Sequence, residues 1–391
     1  MPWVEQDTMT LRQEFIKLAL QKKSNISHLC DRFGISRKTG YKWIARYKEE
    51  GETGLINKTT KPLSSPNVIS QSSVKMITQI RLKYPDWGAR KIHMVLKRKG
   101  AKDIPSPSSI TRHLQRLGHI KKRGPNRSTW QRFEHEAPNQ LWQMDFKGHF
   151  EYEQGRCFPL TILDDHSRFS IALKACKNEQ GKTIKPLLIQ VFRQYGLPER
   201  INVDNGNPWG SPLANARFTV FSVWLISLGV QVSHSRPGHP QTNGKDERFH
   251  RTLKEELLKY HYFRNIKHIQ RHFDKWRDIY NLERPHEAIN MQVPSDRYQL
   301  SYRQYNERIE PYEYASDYEL RKVDSRGRIS YQSRQIFVGI PFGNQIAGIR
   351  NTSKDGEKQI YFRHQILGTI DLGKVPKSSI INLYSKRVTQ L

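Results

Sequence analysis

Between residues 135 and 298 short apolar runs alternate with helix-patterned stretches, and acids stand at the ends of the runs. No other feature limits the possible folds as much. QLWQMDFKGHF alternates and then breaks at Gly148, and CFPLTILDDHSRFSIAL holds two further apolar runs. Together they predict a three-stranded antiparallel start to a mixed sheet. A helix over roughly 179–195 follows, then a strand in RINVDN, a helix in FTVFSVWLISLG and a strand in VQVSHS. Strands interleaved with helices make an α/β layer fold. Asp145 lies in the first run, Asp204 closes RINVDN, and Glu247 opens a helix in HPQTNGKDERFHRTLKEELL. Three acids on separate elements can hold two divalent ions and carry phosphoryl-transfer chemistry. An acid on an otherwise apolar strand needs a metal or a partner.

Charge names the substrate class. The 391 residues carry a net charge of +29, which calls for a polyanionic partner, with nucleic acid foremost. Residues 1–134 hold 28 Lys and Arg against 10 Asp and Glu, a net of +18, so the N-terminal third is expected to grip DNA. The three cysteines, Cys30, Cys157 and Cys176, are far apart and imply neither a disulfide framework nor a zinc cluster. No run of 18 apolar residues is present, and MPWVEQDTMTLRQEF lacks the apolar centre of a signal peptide. The expectation is a protein without a membrane partner, cytoplasmic and associated with the nucleoid.

Composition divides the chain further. Residues 1–50 are predicted as a helix-turn-helix domain, 51–67 (GETGLINKTTKPLSSPN) as a linker, and 68–123 as a second helical DNA-binding domain. Residues 124–134 form a basic hinge, 135–298 the α/β core, and 318–391 a small β-barrel of short runs with tight turns. In the first domain Ile26, Leu29, Cys30 and Phe33 keep helical spacing and Gly34 permits a turn. Ser36 then caps a helix whose apolar residues are Tyr41, Ile44 and Tyr47. A second helix of this kind lies in the major groove. Arg37, Lys38, Thr39 and Lys42 are its candidate base contacts, with Arg46 nearer a phosphate. In the second domain Lys91, Arg98, Arg112 and Arg116 are candidates to face phosphates, and Ser106 or Ser108 to cap its last helix.

WQMD, DNG and PQTNGKDE occur in that order across 135–298. This resembles the ribonuclease-H-like catalytic core shared by retroviral integrases and bacterial insertion-sequence transposases. The helix-turn-helix ahead of it makes the whole chain similar to the transposases, and YNLERPHEAINMQVPSDRY resembles the segment that ends their cores. The resemblance implies a catalytic and metal-binding triad of Asp145, Asp204 and Glu247, with two Mg²⁺ or Mn²⁺ ions per site. It also implies cleavage at transposon ends, strand transfer into target DNA, and a homo-multimer on DNA. Spacing from Gly244 selects Glu247 over Asp246, because adjacent helical residues point about 100° apart. Asp164 and Asp165 read as structural.

Two departures stand out. Between Asp204 and Glu247 lie 42 residues, more than the resemblance leads one to expect, so an insertion is placed around NPWGSPLANARF. The zinc module of viral integrases is missing, and the helix-turn-helix takes its place. Along the last helix Glu247, Arg251, Lys254 and Leu258 fall on one face, and Phe249, Leu253, Leu257 and Tyr260 on the opposite one. The resemblance implies that Arg251 and Lys254, beside the acid, contact DNA; the alternative is an i,i+4 Glu247–Arg251 ion pair on a solvated face. Ser235, His239 and His250 are assigned to DNA or structural roles. Two other readings stay open: a catalytically silent helix-turn-helix regulator, and a nuclease that cuts without joining.

Overall fold

A computed structural model describes residues 7–58, 69–120, 134–204, 206, 208–210, 218–234, 244–384 and 388–389. The chain divides into two compact units, Met1–Val68 and Ile69–Leu391.

The first unit holds α1 (Thr8–Ala19), α2 (Ile26–Arg32) and α3 (Arg37–Glu50). The Asn25 and Ser36 side chains accept the His28 and Thr39 backbone N–H groups, each at 3.2 Å, and so start α2 and α3. Gly34 turns the chain between them at φ +63°. The helix-turn-helix forms as the sequence predicts, but one core assignment changes. Tyr41 is 58% exposed, and Trp43 is buried in its stead. Gly40 explains this, since a Cβ there would lie 2.5 Å from the Cys30 sulfur. The helices therefore meet along the Gly40–Trp43 line.

The second unit opens with α4 (Gln71–Lys83), α5 (Ala89–Arg98) and α6 (Pro107–Arg116). Ser106 caps α6 through the Ser109 N–H at 3.2 Å. Ile77, Trp87, Ile92, Leu96, Ile110 and Leu114 form the core of this bundle. Its cations do not all face outward. Arg98 clamps Asp296 with two hydrogen bonds at 2.5 and 3.2 Å. Lys91 lies 3.6 Å from Glu256 in a largely buried ion pair. The phosphate-facing role expected of Lys91 is thereby corrected, while Arg98 is exposed but already paired with a carboxylate, and Arg112 and Arg116 are exposed as that role requires.

The α/β body contains β1 (Leu141–Phe146), β2 (Phe150–Tyr152), β3 (Gly155–Asp164) and β4 (Ser170–Cys176). It continues with α7 (Gly181–Tyr195), β5 (Arg200–Val203), α8 (Val220–Ser227) and β6 (Gln231–His234). The last two helices are α9 (Gly244–Glu256) and α10 (Ile266–Asp278). β3 pairs antiparallel with β1, β2 and β4. β5 pairs parallel with both β1 and β6. This is the mixed sheet expected. Trp142, Met144 and Phe146 alternate toward α7 and α8, which turns Gln143 and Asp145 to the opposite face.

An exposed sheet edge invites unwanted pairing and has to be covered. α10 covers β4 with side chains. Gln270 accepts from Ala175 N at 2.8 Å and donates to Leu173 O at 3.0 Å. Arg277 donates to Ile171 O at 2.6 Å. Asn281, in the π-helical turn Ile279–Glu283, accepts from Ser170 N at 2.8 Å and donates to Ser170 O at 3.0 Å. At β6, Gln365 accepts from Val232 N at 3.0 Å.

The C-terminal region is a correction. Its strands are β7 (Glu319–Lys322), β8 (Arg328–Tyr331), β9 (Arg334–Phe337), β10 (Ile346–Asn351), β11 (Glu357–Phe362), β12 (Gln365–Asp371), β13 (Ile380–Asn382) and β14 (Val388–Thr389). They form two open sheets, ordered β12-β11-β10-β7 and β14-β13-β9-β8, in place of a closed barrel. Ile329 and Ile336 of one sheet and Ile349, Ile360 and Phe362 of the other are buried in a common core. A period of two demands a buried face but does not say whether the sheet closes.

Candidate active site

Topology brings the first two acids together. The parallel register pairs Trp142 with Ile201 and Gln143 with Asn202. Continued by two residues, it sets Asp204 beside Asp145 at the carboxyl ends of adjacent strands, where α/β sheets place their ligands. Asp145 is half-buried. Burial, then the charge of Asp204, pushes its carboxyl up to about 6, with Glu179 and Glu247 adding smaller repulsions. Burial also raises Asp204, against the pull of the Gly206 N–H, which donates to it at 3.0 Å. A Cβ at Gly206 would stand 3.1 Å from an Asp204 oxygen, so the glycine of DNG lets the backbone wrap the carboxylate closely.

α9 supplies the third acid and a surprise. Its Phe249, Leu253 and Leu257 are buried as predicted. The helix ends at Glu256, so Leu258 and Tyr260 fall in a 3-10 turn, and Tyr260, 50% exposed, donates its hydroxyl to Asp86 at 2.9 Å. Glu247, Arg251 and Lys254 are exposed. Among the described residues no ion pair joins Glu247 to Arg251 or Lys254. Asp246 turns inward and is 2% exposed, with Oδ1 lacking a hydrogen-bond partner. Burial, then Asp145, raises its carboxyl well above the usual range. Helical periodicity sets the two acids on different faces, but it does not indicate that the inward one faces Asp145.

The surrounding side chains hold this face in place. Thr161, across from Asp145 on β3, donates its hydroxyl to the Asp145 carbonyl at 3.0 Å. Its single proton is then committed, so the His250 Nε2 that lies 2.8 Å away donates to the Thr161 oxygen. Burial and then Lys147 lower His250 to about 4, keeping it neutral. The structural alternative assigned to His250 therefore holds, while Ser235 and His239 lie outside the described residues. Asp164 accepts from Ser167 N and Asn139 N, each at 2.8 Å. Asp165 accepts from Gln143 Nε2 at 2.7 Å and His135 N at 3.0 Å, and it pairs with Lys245. Both are structural, as read from sequence. Most of the expected insertion lies outside the described residues. Its flank Trp209 is buried and packs on Phe146 at 6.0 Å between ring centroids.

Two further groups escape a reading of the sequence. Glu179 is raised by burial and then by Asp204. Lys147 is lowered by burial and then by Lys254, which sets two cations near the strand that carries Asp145. A signal for Lys147 exists, since it stands two residues beyond Asp145; Glu179 precedes α7 with no motif around it. In the first unit Arg37, Lys38 and Lys42 are exposed. The Thr39 hydroxyl lies 2.9 Å from that of Ser36, and Arg46 stacks on Trp43 at 5.2 Å.

Among the described residues no three His, Cys, Asp or Glu side chains converge closely enough to hold a metal ion. The donor chemistry nevertheless fits a hard divalent cation. The donors are all carboxylate oxygens, Asp145 is raised partly by its acidic neighbours, and Asp246 keeps an unpartnered oxygen. No helix of the described residues is long and apolar enough to cross a membrane.

Comparison with known proteins agrees with this domain content. Integrase core domain models match residues 135–240 and 228–294. A helix-turn-helix domain matches 11–62, and a homeodomain-like domain 39–114. The C-terminal domain of IS481 family transposases matches 318–377. The chain is 24% identical over 286 residues to the insertion element IS407 uncharacterized 31.7 kDa protein of Burkholderia multivorans, covering 71% of this chain and 92% of that one. It is 26% identical over 167 residues to the transposase for insertion sequence element IS904 of Lactococcus lactis, covering 42% of this chain and 63% of that protein. The HTLV-2 integrase catalytic core domain, solved in complex with magnesium, aligns at 17% identity and TM-score 0.32 over 41% of this chain and 97% of that one.

Proposed function

We propose that this chain, an insertion-sequence transposase of the integrase-core type by its domain content, cuts DNA at the ends of its element and joins the freed 3′ ends to target DNA. The observation that carries the reading is the adjacency of Asp145 and Asp204 on parallel strands, with the charge of Glu247 reaching Asp145. In this reading Asp145, Asp204 and Glu247 hold the divalent ions, Mg²⁺ or Mn²⁺, two to a site. Held by these carboxylates, such ions would supply activation of the attacking oxygen and charge stabilisation for the leaving 3′-oxygen.

The protein's own side chains then position the DNA. Exposed Lys254 and Arg251 on α9, with Lys147, take the phosphates flanking the scissile bond. Thr161 and His250 keep β1 and α9 in register, so that Asp145 and Glu247 move as one body. Arg37, Lys38, Thr39 and Lys42 on α3 read the element's end, and Arg46 lies toward the backbone. Two ends held together require a homo-multimer on DNA, working wherever the bacterial chromosome lies. A regulator without activity would have no need of Asp145 and Asp204 side by side, each raised first by burial.

The test is a strand-transfer assay with duplexes carrying the terminal inverted repeats that flank the gene, in Mg²⁺ and in Mn²⁺. Wild-type protein is expected to give both nicked and joined products. Asp204→Asn should lose both by a factor on the order of 10³, the scale of a missing electrostatic group in a transition state. Full activity in that variant would refute the triad, and nicking without joining would favour the nuclease reading. Lys254→Gln makes a milder prediction. Its side chain is exposed and in no ion pair among the described residues. Thermal stability should therefore hold while end cleavage falls roughly tenfold at moderate salt, because one phosphate is left without its cation. Unchanged cleavage would remove Lys254 from the site.

A further inference from the structure

The outer surface at the start of α10 is strongly basic, and no role above uses it. Arg264, Lys267, Arg271 and Lys275 are all exposed, and the last three follow one another at four-residue steps along one helical face. Among the described residues none of the four forms an ion pair, in contrast to Lys91, Arg98 and Lys259 of the same unit. An open hollow of about 590 Å³ lies here, lined by Tyr262, Arg264, Asn265, His268 and Arg271. A second of about 170 Å³ adjoins it between His268, Arg271, His272 and Lys275. His268 and His272 stand one helical turn apart with their Nε2 atoms 3.0 Å from each other. Burial, then His261, His268, Lys275 and Arg271, lowers His272, so the local potential disfavours one more positive charge.

Acids do little to offset this. Asp274 accepts from Gln270 at 2.8 Å, and Asp278, one turn beyond Lys275, forms no ion pair with it among the described residues. The inner face of α10 is fully engaged, with Ile269, Phe273 and Trp276 in the core and Gln270 and Arg277 on the β4 edge. The cations are therefore held on a rigid support at helical spacing rather than on a loose loop.

We infer that this face of α10 is a second binding surface for the phosphodiester backbone of duplex DNA, separate from the carboxylate site and from α3. Unpaired cations at about 6 Å intervals along a helix suit a row of phosphates. Arg264 and Arg271, at the rim of the larger hollow, can each donate two hydrogen bonds to one phosphate. Tyr262, 75% exposed, offers a hydroxyl to the same backbone. Interactions of this kind carry no base information, so the segment bound is of any sequence, as target DNA is. A second copy docking by the same face would set cation against cation. Assigning the surface to target DNA rests on the proposed function; that it binds DNA backbone does not.

The experiment measures binding of the full chain to a random-sequence duplex as a function of salt, for wild type and for Lys267→Gln/Arg271→Gln/Lys275→Gln. The substitutions are on an exposed helical surface and should leave the melting temperature in place. The slope of log affinity against log salt should fall by about 2–3, near 0.9 for each phosphate no longer neutralised, and affinity at moderate salt should drop roughly 10- to 100-fold. Joining to target should fall with it, while nicking at the element's end stays near wild type. A variant that keeps the wild-type slope and affinity would overturn this surface and leave the proposed function standing, and it would point to an acidic protein as the surface's partner. A wild-type chain that binds no duplex would overturn both.

Discussion

Asp145→Asn is expected to abolish DNA cleavage and, at the same time, to raise the melting temperature of the metal-free protein. The two effects have one cause. Burial and Asp204 hold the Asp145 carboxyl at about 6, above its ordinary 3.8, so the folded chain resists its ionisation. Between those two values the folded state binds more protons than the unfolded one, and stability falls as pH rises. The stabilisation is fully present below the ordinary carboxylate value and is lost as pH climbs through 6. Asparagine keeps the uncharged form at every pH, and its side-chain oxygen can still accept the Phe146 N–H that Asp145 accepts at 2.8 Å. Holding the carboxyl that far above its ordinary value corresponds to on the order of 2–3 kcal/mol, chiefly the cost of burying the charge and then the repulsion of Asp204. At pH 7.5 without metal the variant should therefore melt several degrees above wild type, and below pH 4 the difference should vanish. Adding Mg²⁺ should raise the melting temperature of wild type but not of the variant, since a cation relieves only a charged cluster. Cleavage should drop on the order of 10³-fold. Equal melting of the two proteins at pH 7.5 would contradict the strain assigned to the site, whatever the activity.

The second large effect lies outside the site. Glu256, at the end of α9, accepts Arg284 Nε at 2.9 and 3.1 Å and stands 3.6 Å from Lys91 of α5. The three side chains are only 9–16% exposed. Glu256→Ala would leave two cations without their counter-charge in a poorly hydrated place, which costs about 3–5 kcal/mol. Lys91 is already lowered to about 8 by burial and then by Arg284, so it can shed its proton in mildly alkaline solution. The loss measured by denaturant unfolding should thus be smaller at pH 9 than at pH 7. Glu256→Gln, which keeps an acceptor for Arg284, should lose less than the alanine variant at both. A loss under about 1 kcal/mol at pH 7, the scale of an exposed pair, would show that water reaches these groups. Because Lys91 belongs to the helical bundle, the same change should also expose residues 69–120 to proteolysis ahead of the α/β body.

Local patterns are legible in the sequence. The caps at Asn25, Ser36 and Ser106 depend on bonds spanning three residues, and a sequence displays such bonds directly. The strands of the core and the inward stripe Phe249, Leu253 and Leu257 follow from periods of two and of about 3.6. Errors arise where one pattern permits two packings. Tyr41 and Trp43 both suit an amphipathic helix, and the choice between them is made by how closely Gly40 lets α3 approach Cys30. Lys91 and Arg98 resemble DNA contacts in sequence, but their carboxylate partners Glu256 and Asp296 lie more than 160 residues away. Alternating runs after residue 318 fit a barrel and two open sheets equally.

By itself, then, the sequence determined the kinds of element, the acids they carry, and the polyanion the chain must meet, because these depend on near neighbours and on summed charge. Tertiary structure alone decided the relations among distant residues. The β1–β5 register sets Asp204 beside Asp145, the packing of α9 buries Asp246 and exposes Glu247, and the docking of α5 turns Lys91 inward. Each arises from packing between segments far apart in the chain, where shape and burial, rather than local periodicity, select which side chain faces which.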